Sequence, residues 1–267
     1  MGRQDLADAL DGALLERPLP ADAVRVLGAW PAGAGARYAA GTGGHSVEYV
    51  PARWADVTAW PDRFGDRSGT ETARVSRDQV VAAVREAVEH GRWAEALTAS
   101  YVWGQGRTGY GPHRLRAILA GSGTSESLAS AGRTLQEDGA VAAYGALRGA
   151  VKGLGPAFFT KFLFFLDLAV HPSAAPRALI LDQRVARVLR AHATRTGQEA
   201  GLPSAAGTAA WTWSDSNWTP HRYEIYLRWI TAASNQLAAS APDWADAGPD
   251  VLELALFEGV WNPAAPA

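Results

Sequence analysis

Residues 147–190 read LRGAVKGLGPAFFTKFLFFLDLAVHPSAAPRALILDQRVARVLR. Gly153-Leu154-Gly155 allows the backbone to turn where a side chain would clash. Pro156 then suits the first position of a helix. Phe158, Phe159, Phe162, Phe164 and Phe165 make that helix apolar almost all round, which predicts a buried core helix. Its only charge before Asp167 is Lys161. Pro172 and Pro176 break the pattern. Ile180-Leu181-Asp182 then leads into Val185, Val188 and Leu189 at helical spacing, with the aspartate placed to open the helix. The stretch predicts helix, tight hairpin, buried helix, broken loop and capped helix.

Working outward, the same pattern fills most of the chain. Ser76 and Gln79 form a capping-box signature, and Val80, Val81, Val84 and Val88 repeat at helical spacing up to Gly91. A second helix is expected from Trp93 to Val102, running into the glycine-rich loop Trp103-Gly-Gln-Gly-Arg-Thr-Gly-Tyr-Gly-Pro112. No strand precedes that loop, so its glycine spacing does not make a dinucleotide motif. Further helices are expected at 113–119, within 127–147, at 220–238 and at 249–259, with 194–207 read as a small, polar surface loop. Trp211, Trp213 and Trp218 flank a Ser/Asp/Asn turn, where they either stack bases or pack on their own domain. Residues 1–70 are the least regular: a short helix from Asp5 to Leu15, a Gly/Ala-rich loop, a short strand at 45–50, and Trp54 and Trp60 as plugs against the main domain.

The hairpin taken with the spaced aspartate element resembles the helix-hairpin-helix DNA glycosylase superfamily, where L-x-G-[VIL]-G precedes a buried helix and [VIL]-D-x-x-V-x-R-[VIL] follows it. Gly153, Gly155, Asp182, Val185, Arg187 and Val188 fall on that pattern. The resemblance implies a mainly α fold of two helical lobes with a less regular N-terminal segment. It divides the chain into an accessory segment, 1–70, and a glycosylase domain, 71–267, with the hairpin at 147–170 and the aspartate helix at 180–193. In the 8-oxoguanine branch a late helix presents a glutamine that reads the base edge and, four residues on, a phenylalanine that stacks on the extruded base. Glu253 and Phe257 have that spacing, with glutamate in place of glutamine. Positions four apart share a helix face; the alternative is Phe257 in the core and Glu253 exposed.

The resemblance also assigns the chemistry. Excising a base requires extruding its nucleotide from the stack, and cleavage develops positive charge on the sugar. A carboxylate beside the sugar stabilises that charge, which is the role implied for Asp182; an N-cap is its structural alternative. Members that also cleave the strand use a lysine two residues after the second hairpin glycine, and Ala157 stands there. Lys161 lies one turn later on the same face. Burial among phenylalanines favours a neutral, nucleophilic amine, whereas a lysine snorkelling out of a core helix needs no such role. Both the hydrolytic and the strand-cleaving mode therefore stay open. Gln105, Arg107 and Tyr110 are the candidate wedge residues that fill the gap left by the base, unless their loop is an ordinary connector. The hairpin, with Lys152, Gly153 and Gly155, suits a DNA phosphate, and Gln183 and Arg184, at the start of the aspartate helix, are further DNA-binding candidates. Relatives hold a sodium or potassium ion on hairpin carbonyls; no divalent metal set is apparent, because the six histidines are scattered.

Composition narrows the alternatives. The 267 residues include no cysteine, which excludes disulfides, an iron–sulfur cluster and a thiol nucleophile. No signal peptide or membrane-length apolar run is present, so a cytoplasmic, nucleoid-associated monomer is expected. The net charge of −2 hides an asymmetry: 12 Lys/Arg face 5 Asp/Glu from Arg107 to Arg195, against 13 and 22 elsewhere. A basic half carrying the hairpin fits a duplex DNA partner bearing a modified base, although solvated helix faces would look the same. Only Lys152 and Lys161 are lysines among 25 basic residues. The leading reading is a glycosylase for 8-oxoguanine. A glycosylase for an alkylated or phage-modified base, and a non-catalytic DNA-binding module, are the alternatives.

Overall fold

The computed structural model describes residues 2–107, 109–170 and 176–264. Thr108 of the candidate wedge loop and Pro172 lie outside them. Among the described residues there are twelve α-helices and one two-stranded antiparallel sheet, so the fold is mainly α as expected. None of these helices is long and apolar enough to cross a membrane. The chain forms two compact units: one runs from Gly43 to Ile180, and the other joins residues up to Thr42 with those from Leu181 onward. The sequence places a boundary near residue 70; the contacts divide the chain at 42/43 and 180/181 instead.

The continuous unit is built on the phenylalanine helix. We number its helices α3 (Arg77–Glu89), α4 (Trp93–Gln105), α5 (Gly111–Leu119), α6 (Thr124–Asp138), α7 (Ala140–Leu147) and α8 (Pro156–Val170). Helices α3, α4, α6 and α7 all pack on α8. Phe159, Phe162, Phe164 and Phe165 are buried on different sides of it, the burial expected of a helix apolar all round. Tyr144 meets Phe159 edge-on at 4.8 Å, and Trp103 meets Phe165 edge-on at 5.2 Å. The capping box at Ser76 forms: Gln79 N–H donates to the Ser76 hydroxyl, and the Gln79 side chain accepts from Ser76 N–H. The expected strand is β1 (Ser46–Tyr49). It pairs with β2 (Ala73–Ser76), which the sequence does not announce because Val75 is its only large apolar residue. Trp54 is buried beside Tyr101, with ring centroids 6.5 Å apart.

Two elements differ from expectation. Helix α4 does not stop at Val102 but continues through Trp103 and Gly104 to Gln105. Residues 194–207 are not a surface loop: α9 (Gln183–Glu199) runs through the first half and α10 (Ala205–Thr212) begins in the second. Thr196 is 3% exposed, and a Cβ on Gly197 would lie 2.8 Å from Ala205 Cβ and 2.9 Å from Leu10 Cδ1. Small residues here mark a close helix approach, not a loop.

Those helices belong to the second unit, with α1 (Arg3–Glu16), α2 (Ala21–Gly28), α11 (Pro220–Ser240) and α12 (Pro249–Phe257). Helix α9 packs against α1, α10 and α12. Trp213 and Trp218 are buried, and Trp218 Nε1 donates to the Ser214 carbonyl at 2.8 Å, so these two pack on their own unit. Trp211 is exposed, with the Arg3 guanidinium 4.1 Å from its ring centroid. Buried His192 and Trp229 each lie 2.9 Å from the Pro18 carbonyl, tying the segment after α1 to α9 and α11.

Candidate active site

The site residues are best taken unit by unit. In the continuous unit the hairpin turns at Gly153, whose φ of +84° suits glycine. Leu154 N–H donates to the Val151 carbonyl at 3.2 Å, and the Gly155 carbonyl opens α8 by accepting from Phe158 N–H and Phe159 N–H, both at 3.0 Å. Nothing lies within 4 Å of where a Gly155 Cβ would be, so this glycine leaves open space on the exposed side of the hairpin. Lys152 is exposed beside it.

Lys161 is 7% exposed. Side chains on a helix lean towards its N-terminus, and here the amine reaches back one turn to donate to the Ala157 carbonyl at 2.9 Å. The amine is thereby carried to the level of Ala157, the position at which the resemblance expects a lysine. Phe158 flanks it, with Nζ 5.7 Å from the ring centroid. Phe158 itself stacks on Tyr101 at 4.1 Å and 14°. At the far end of α8, buried Asp167 accepts from Arg177 Nε at 2.9 Å and Ala178 N–H at 3.3 Å, fastening the segment that leads to Asp182.

The wedge candidates separate. Gln105 is the last residue of α4, half-buried against Gly111, where a Cβ would overlap its side chain. Arg107 donates to Glu48 at 3.3 Å, and its carbonyl accepts from Arg53 at 2.8 Å. Tyr110 is 76% exposed, the most exposed large hydrophobic side chain among the described residues.

In the other unit Asp182 is the N-cap of α9. Its Oδ1 accepts from Arg184 N–H at 2.9 Å and Val185 N–H at 3.1 Å, which fixes the carboxylate. Capping and catalysis are compatible roles. Helix α12 packs on α9, and the Arg184 guanidinium lies 4.8 Å from the Phe257 ring centroid. The turn that holds Asp182 and the helix that holds Glu253 and Phe257 thus meet. Glu253 is 1% exposed and Phe257 half-buried, the reverse of the alternative in which the glutamate faces solvent.

Asp215 escapes a reading by sequence spacing because it acts across a turn. It accepts from Gln183 at 2.7 Å, Arg187 at 2.8 Å and Arg190 at 3.0 Å. The Arg187 hydrogen bond is the main cause that brings its carboxyl down to about 2. Gln183 and Arg187 are accordingly held by a carboxylate. Ion pairs Arg107–Glu48, Arg116–Asp56 and Arg195–Asp22 likewise offset part of the basic asymmetry. One histidine is less scattered than its spacing suggests: His221 gathers with Asp8 and Asp11. Asp11 is already ion-paired to buried Arg222, which leaves little charge for a metal.

With this geometry in view, a family model described as "Putative 8-oxoguanine DNA glycosylase OGG-like protein" matches residues 40–257. No curated protein and no solved structure matches the chain.

Proposed function

The chain belongs to the OGG-like family, and from that membership we propose that it extrudes and excises an oxidised guanine from duplex DNA. The observation that carries this reading is the buried carboxyl of Glu253, one turn from Phe257 on a helix packed against the turn of Asp182. Guanine and 8-oxoguanine present two adjacent donors, N1–H and the exocyclic amine, and an ionised carboxylate offers only acceptors. Phe257 supplies the stacking face. Asp182 stabilises the positive charge that develops on the sugar as the C1′–N9 bond breaks and the base leaves with the bonding pair.

Lys161 is the proposed amine nucleophile. Its neutral nitrogen bonds to C1′, and opening of the sugar ring gives the Schiff base that precedes strand cleavage. The specific support is the delivery of its amine to the Ala157 carbonyl. Hydrolysis without strand cleavage is the second reading, favoured by alanine at position 157 itself. Gly153, Gly155 and Lys152 would contact a phosphate, and Tyr110, with Gln105 and Arg107 beside it, would enter the duplex. A sodium or potassium ion on the hairpin carbonyls fits the Val151 oxygen, which accepts one N–H and retains a lone pair, better than the Gly155 oxygen, which already accepts two.

The test is a panel of duplexes carrying 8-oxoguanine, alkylated bases or uracil, with base release and strand cleavage read separately. Release of 8-oxoguanine by the wild type, lost in D182N with duplex affinity kept, is the expected result. Single-turnover release by folded D182N at the wild-type rate would remove Asp182 from the mechanism. Binding without release from any duplex would make the protein a DNA-binding module.

A further inference from the structure

Gly104 lies inside α4, is absent from the positive-φ residues, and closes no turn. A glycine there costs about 1 kcal/mol relative to alanine, so the backbone gives no reason for it. The reason is on the neighbouring helix. A Cβ at position 104 would lie 2.6 Å from Lys161 Cδ, 3.3 Å from Lys161 Cε and 3.4 Å from Phe158 Cε1. The missing methyl is the space through which the lysine stem runs. The methyl would touch the Phe158 ring as well, and that ring cannot easily give way, because it is stacked on Tyr101, which is 2% exposed. Gly104, Ala157 and Phe158 are themselves only half-buried, so the slot is not sealed in the core.

We propose that Gly104 is a positioning residue for the Lys161 amine: the space its missing side chain leaves beside Phe158 lets the stem run back to the Ala157 carbonyl. The inference rests on the reading of Lys161 as the amine nucleophile. It does not depend on which base is excised. The contact is with Cδ, in the middle of the side chain, so a methyl at 104 forces a different path on the stem and carries Nζ away with it. The substitution improves helix propensity while removing the alignment.

The experiment uses a duplex with a preformed abasic site, whose aldehyde reacts without any base being recognised, and borohydride to trap the adduct. G104A should trap about 10²-fold more slowly than wild type, with affinity for the same duplex within twofold, and G104A/K161Q should be no slower than K161Q. F158L, which removes the ring edge that the methyl would touch, gives a second reading should G104A fold poorly; it should also slow trapping, and G104A/F158L, where the methyl has more room, should recover part of the loss. Nitrogen-15 labelling of lysine adds an independent readout, because the chain has only two lysines: G104A should move the Lys161 side-chain signal and leave Lys152 in place. Wild-type trapping together with an unmoved Lys161 signal in folded G104A would overturn the proposal. If wild type traps nothing but the signal still moves, the positioning stands and the nucleophile reading falls.

Discussion

In the proposed function, Glu253 is the side chain that reads the base edge. Glu253 is 1% exposed and stands one turn from a half-buried phenylalanine. If it meets the donor edge of an oxidised guanine, E253Q keeps one acceptor and should retain much of the release rate. E253L leaves that edge unpaired, at about 1–3 kcal/mol, a loss expected in kcat/KM for 8-oxoguanine with discrimination against other bases falling in parallel. Equal rates for E253L and wild type would remove the residue from base reading. The pairing of Glu253 with Phe257 is visible in the sequence as a spacing of four, and Asp182 as a cap before an apolar repeat. Gly104 and Asp215 are not, since the partners that define them, Lys161 and the arginines of α9, lie on other elements.

At the scale of the element, a sequence can be read wherever the periodicity and its punctuation agree. Helix α8 has both, with Pro156 at its start and apolar residues on every face, and α3 has its capping box. The segment 194–207 lacks apolar periodicity and carries Gly197, Gly201, Pro203 and Gly207, so it looks like a loop, yet two helices meet there. Their closeness depends on Gly197, against which Ala205 and Leu10 are packed. G197A should therefore destabilise by about 1–3 kcal/mol through overpacking, although alanine is the better helix former. A chemical denaturation midpoint for G197A equal to or above that of wild type would show that α9 and α10 can separate without cost. Strand β2 is the counterpart: Ala73–Ser76 becomes a strand because β1 pairs with it, and no local propensity reveals that.

For the molecule as a whole, pH dependence follows from a buried imidazole. Burial, partly opposed by the bond to the Pro18 carbonyl, brings His192 from 6.5 down to about 4. Between those values the unfolded chain binds a proton that the folded chain does not, so stability is fully present above pH ~6.5 and falls as the pH drops towards ~4, by about 3 kcal/mol. Thermal unfolding at a series of pH values should show the decline, and H192Q, which can still donate to Pro18, should flatten it; an undiminished slope in H192Q would place the titration elsewhere. The division of the chain has a different outcome, one of timing. A ribosome synthesises all of Gly43–Ile180 before the first residue of α9, so that unit can close its core on the growing chain once it has cleared the exit tunnel. Helix α1, with Leu10 and Leu14 fully buried once folded, packs against α9, α10 and α11, all made after that unit. Helix α1 is made long before the helices that bury it, and throughout that interval its apolar face is open to whatever chaperone meets the nascent chain.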